Sequence, residues 1–158
     1  MWGDGRSGKS DSHERGMSIR ASNKPMQEWK QKPGERQGHH WIEGTPKGWA
    51  RTVSVDTNYW KSQVHTAFRI LPGSRGSLTL WGRDAETHKM FSEHMNAEVA
   101  KLVEHSGNTI YEWQDTPGRD NHFFDCLVGA MVAASHCGIK SAEEKPVKVK
   151  RNNTSIVG

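Results

Sequence analysis

Hydrophobic and polar positions keep a regular period at only a few places in this chain, and those places mark its elements. In Arg51-Thr52-Val53-Ser54-Val55-Asp56 polar and apolar residues alternate, which predicts a strand. Asp56 or Asn58 is placed to cap a following helix, where Tyr59, Val64, Ala67, Phe68 and Leu71 fall roughly on one face until Pro72-Gly73 stops it. Residues 76–81, with their Ser-Leu-Thr-Leu-Trp run, predict a second strand. Asp84 then caps a long helix with an apolar stripe of Phe91, Met95, Val99, Leu102 and Val103, ended by Gly107. Thr109-Ile110-Tyr111-Glu112-Trp113 predicts a third strand, and the nearly continuous apolar run of residues 121–135 a last helix closing at Gly138.

The remainder shows no such period. Residues 1–48 are polar and Gly-rich and predict loop or extended segment, so the ordered core is expected to begin at Trp49. Residues 49–139 are then the folded part, and residues 140–158 a basic, disordered tail carrying the Lys and Arg of positions 145–151. The order strand-helix-strand-helix-strand-helix argues for an α/β domain. Three strands make a thin sheet, so the expectation is a fragment of a larger fold.

Composition narrows the class only loosely. The 158 residues are one domain at most, and an apolar share of 33% suggests that part of the chain is unpacked. A net charge of +4 and a pI near 9.2 bias the chain mildly toward anionic partners such as nucleic acid. No apolar run approaches a membrane span, and the charged, Gly-rich start is no signal peptide. Cys126 and Cys137, ten residues of helix apart, read as reduced, packed thiols of a cytosolic protein.

Candidate chemistry concentrates on the last helix. Asp125 is a single carboxylate in an apolar, small-residue segment, with no basic neighbour in its own helix. Buried and ionised, it needs a cation or hydrogen-bond donors, which makes it a candidate metal ligand. The alternative is an Asp that merely favours the positive end of the helix dipole. Lys61, in the first turns of a helix at a strand's carboxyl end, is placed to reach a phosphate or else is an ordinary solvated lysine. Glu98, among Phe91, Met95 and Leu102, either snorkels or pairs with a basic group across an interface.

Two other patterns carry less. Gly3-Asp4-Gly5-Arg6-Ser7-Gly8-Lys9-Ser10 matches the phosphate-cradling loop pattern, but no strand precedes it and no apolar helix face follows. His39, His40, His65, His88, His94, His105, His122 and His136 invite a zinc hypothesis. None pairs with cysteines at finger spacing, and surface or capping roles are expected.

Several runs together carry a family resemblance: residues 24–41, Val55-Asp56-Thr57-Asn58-Tyr59-Trp60-Lys61, residues 76–82, Ala97-Glu98 and residues 120–128. Over about residues 18–139 the chain resembles the C-terminal part of the large terminase subunit of tailed phages, in the lambda GpA-like family. The resemblance implies a partial RNase H-like endonuclease fold, in which acidic residues hold two divalent cations, Mg2+ or Mn2+, for phosphodiester cleavage. By motif, the acid at the start of the last helix falls on Asp125 as metal ligand, and Lys61 matches a recurring lysine suited to a phosphate contact beside the metals.

The function so implied is metal-dependent cutting of concatemeric double-stranded DNA during genome packaging. Small terminase subunit and portal are the expected partners, in the host cytoplasm. The family's ATPase and first nuclease strands are expected to be missing, so completion by them would be needed for activity. Asp56 and Asp120 lie nearby but read as a strand-end cap and a turn residue. The alternatives are a non-catalytic DNA- or motor-binding fragment, using the basic tail and the loop of residues 24–36, and an unfolded remnant.

Overall fold

Val53 and Val55, the apolar members of the alternating run, are 2% and 1% exposed and turn to one side of their strand. In the computed structural model, which describes residues 17–44, 51–105 and 107–140, that strand is the centre of a four-stranded sheet. In chain order the strands are β1 (Ser18–Ser22), β2 (Arg36–Gly38), β3 (Trp41–Glu43) and β4 (Thr52–Asp56). Their spatial order is β1-β4-β3-β2, with β1 parallel to β4 and the other neighbours antiparallel. Helix α1 (Thr57–Arg69) follows directly, then α2 (Lys89–Met95), the hairpin β5 (Glu98–His105) and β6 (Asn108–Asp115), and α3 (His122–His136).

The core lies between one face of the sheet and helices α1 and α3. Phe124, Val128 and Val132 recur every four residues along α3 and are all buried, as are Trp60 and Val64 of α1. They meet Trp41, Val53 and Val55 from the sheet and Met95 from the end of α2. Each such side chain contributes roughly 1.5–3 kcal/mol by leaving water. Trp41 Nε1 donates to Ser135 Oγ at 3.1 Å, tying β3 to the end of α3.

The turn joining β2 to β3 is the most constrained corner. His40 has φ of 53°, in the left-handed region that a non-glycine residue enters at a cost. Its ring stacks on Tyr59 at 3.5 Å, and its Nδ1 lies 2.9 Å from Asp56 Oδ2. Its carbonyl accepts from Trp60 Nε1 and from the Asp56 amide. Asp56 also accepts from the Tyr59 amide, as the expected cap of α1, and from the Met26 amide.

Several expectations are corrected here. The chain is mixed α/β, but its order is not strand-helix repeated three times. Residues 18–43, read as loop or extended segment, supply three of the four strands of the main sheet, so the sheet is not thin. Residues 76–81 form no strand: Leu80 is 39% and Trp81 95% exposed, and among the described residues no strand pairs with them, the Leu78 amide donating instead to the Ala67 carbonyl. The expected long helix ends at Met95, because the chain turns at Asn96-Ala97 and runs on as β5. Gly107, read as a helix stop, sits in the hairpin turn at φ of 79°, where glycine is at ease.

Both cysteines are free and exposed rather than packed. No helix among the described residues is long and apolar enough to cross a membrane. The phosphate-loop pattern and residues 141–158 of the tail lie outside the described residues.

Candidate active site

The early part of α1, the first residue of β5 and the beginning of α3 meet at one point. α1 buries Trp60, Val64 and Ala67, and Lys61 lies beside that face with its ammonium 5.4 Å from the centre of the Phe124 ring. Lys61 is therefore buried, at 7% exposure, and is not a solvated lysine. Its ammonium donates to the Glu98 carboxylate, itself 3% exposed. Glu98 thus pairs across an interface, from the start of a strand and not from a helix.

Two groups from α3 complete the cluster. Asn121, just before the helix, donates through Nδ2 to Glu98 Oε1 at 2.7 Å. Asp125, in the first turn, places Oδ1 3.5 Å from Lys61 Nζ. Its side chain is 55% exposed, so the expectation of a buried acid is corrected: α3 buries a stripe, and Asp125 stands at the edge of it. The two carboxylates and one ammonium leave a formal charge of −1, beside the positive end of the α3 dipole.

The arrangement decides which oxygens remain available. Glu98 has both oxygens at the Lys61 ammonium, and one of them also takes the Asn121 amide. Asp125 is the carboxylate of the cluster with an open side. A two-ion centre needs several converging carboxylates. Among the described residues no three His, Cys, Asp or Glu side chains come together to hold an ion, so this set does not fit a complete two-ion centre.

The other candidates are dispersed. Asp56 is spent on the α1 cap and the His40 corner, and Asp120 is an exposed turn residue 3.9 Å from His122. The histidines take local roles: His39 meets the Tyr59 hydroxyl, His65 the Met95 carbonyl and His136 the Glu43 carboxylate. His94 Nδ1 accepts from the Phe123 amide, a capping contact at the start of α3. Asn121 was missed because an Asn before a helix reads as its cap. Its side chain makes no such bond here and turns to Glu98.

Residues 14–146 match the family model of the terminase large subunit gpA endonuclease domain. No curated protein and no solved structure matches the chain.

Proposed function

Because the chain belongs to the family of the terminase large subunit gpA endonuclease domain, we propose that it serves as the DNA-cutting part of a phage packaging terminase. The observation that carries this reading is the meeting of Asp125, Lys61, Glu98 and Asn121 inside the matched span. The substrate is concatemeric double-stranded DNA, and the reaction is hydrolysis of its phosphodiesters. The RNase H-like fold belongs to the same proposal. It is supported by the parallel β1–β4 pair and by an acid at the start of a helix packed on that sheet.

In this reading Asp125 is the ligand that these residues offer to Mg2+ or Mn2+, and groups outside the described cluster supply the rest. Lys61, fixed by Glu98, is the cation beside that carboxylate and is proposed to face the scissile phosphate. Small terminase subunit and portal are the proposed partners, with the work done on DNA inside the infected cell.

A second reading draws on one observation. With Glu98 saturated by Lys61 and Asn121, a single open carboxylate is a poor metal site, which favours a chain that binds DNA or the motor without cutting. Plasmid cleavage with and without Mg2+ or Mn2+, comparing the chain with its Asp125→Asn form, separates the two. Cutting that needs the cation and vanishes in Asp125→Asn supports the nuclease. Cation-independent binding without cutting by a folded sample supports the second reading.

A further inference from the structure

The face of the main sheet turned away from α1 and α3 is polar and basic. Along β1 and β4 the side chains opposite Val53 and Val55 include Arg20, Ser22 and Ser54, since alternate residues of a strand point to opposite faces. The segment between β1 and β2 passes over this face. Together they enclose an open groove of about 590 Å3. Arg20, Lys24, Lys30 and Lys32 line it, against the two acids Glu28 and Glu35.

Both acids are already engaged. Glu28 lies 3.8 Å from Lys24, and Glu35 accepts the Lys32 amide at 2.7 Å. Arg20, Lys30 and Lys32 are exposed, and none pairs with a carboxylate among the described residues. The groove therefore offers three uncommitted cations over a floor of Ser22, Ser54 and the buried Ile42, with Trp29 also in its lining. Four cations against two acids leave the lining net positive, and with the Ser22 and Ser54 hydroxyls it suits a phosphate backbone.

Position ties the groove to the candidate active site. Ser22 and Asp56 end the parallel strands β1 and β4 at the same edge, and α1 with Lys61 begins there. The groove segment reaches this edge too, where the Met26 amide binds Asp56. We propose that this groove is a phosphate-backbone cradle for duplex DNA, separate from Asp125 and serving the same duplex. The inference rests on the nuclease reading for its partner and not for its test.

The test is binding of the full chain to a linear DNA duplex in EDTA, followed by fluorescence anisotropy across a range of NaCl concentrations. Lys30→Gln/Lys32→Gln is compared with Arg83→Gln/Lys89→Gln, which removes the same charge from exposed positions elsewhere. Circular dichroism verifies that each variant is folded. Loss of two phosphate contacts lowers the log–log salt slope by about 1.8 and weakens binding severalfold at low salt. That change in the groove variant alone is the expected result. A slope unchanged from the parent chain, an equal effect in the control variant, or a parent chain that does not bind DNA each overturns the proposal. Binding is read in EDTA, without any divalent cation, so failure of cutting and failure of the cradle remain separate outcomes.

Discussion

The ammonium of Lys61 is held inside the protein by the carboxylate of Glu98, 37 residues further along the chain, with side-chain exposures of 9% and 1%. This pair joins the helix that caps the central strand to the hairpin β5–β6. Removing one member of a buried pair typically costs about 3–5 kcal/mol, and the half-exposed Asp125, 3.5 Å from Lys61, keeps the loss here at the low end. Glu98→Ala is expected to lower unfolding free energy by about 3 kcal/mol in urea titration. The double variant Lys61→Met/Glu98→Leu regains most of that loss, since neither charge remains. Equal instability of the single and double variants would show that a leftover buried charge is not the cause of the loss.

Gly38 faces Trp41 across the β2–β3 pair so closely that a Cβ there would lie 2.0 Å from the indole Cζ2. The indole cannot swing aside: it is 2% exposed, bonded to Ser135 and covered by Arg36, whose guanidinium carbon is 5.3 Å from the ring centre. Gly38→Ala is therefore expected to destabilise by about 2–3 kcal/mol through overpacking. Thermal unfolding of that variant checks this, alongside Gly73→Ala as a probe of backbone cost alone, because nothing lies within 4 Å of a Cβ at Gly73.

Asp56 accepts three hydrogen bonds at once, from Tyr59, Met26 and His40, and so couples the α1 cap to the His40 corner. Asp56→Ala is expected to lose about 1 kcal/mol for the cap and a comparable amount for each other donor left bare. Asp56→Asn keeps an oxygen for Tyr59 and is expected to fall between the two. Urea midpoints of the three proteins measure the order.

These couplings show why part of the molecule was legible and part was not. β4, α1, β6 and α3 carry their own local signals: strict alternation, a capping Asp, a β-branched and aromatic run, and a spaced apolar stripe. β2 and β3 have three residues each, too few to show a period, and they owe their place to pairing, β3 with β4 and β2 with β3. The stripe of Met95, Val99, Leu102 and Val103 mimicked a helix, although Val99 and Leu102 are 46% and 62% exposed on a strand. Of the site, Asp125 stood out by its apolar surroundings and Lys61 by the resemblance. Glu98 and Asn121 join them only through the turn at Asn96-Ala97, a tertiary event that no local pattern announces.

Acid is expected to weaken the fold in two windows, set by two different groups. His65 packs against Trp113 and Phe124 and meets the Met95 carbonyl, and burial pushes its pKa below the usual 6.5. The unfolded chain then takes up a proton near pH 6.5 that the folded chain still refuses. Stability supplied by neutral His65 is complete above that pH and drains as pH falls toward the lowered folded value. Glu43 behaves in the next window down. The hydrogen bond from His136 and the charges of His136 and Arg51 hold its carboxyl below the usual 4.5 against the opposing effect of burial. Its contribution is present above pH 4.5 and is lost as pH falls through the folded value. Urea unfolding between pH 8 and pH 3 is expected to show a first decline starting near pH 6.5 that disappears in His65→Phe. A second decline, below pH 4.5, is expected to shrink in Glu43→Gln. A first decline that persists unchanged in His65→Phe would assign it to another group.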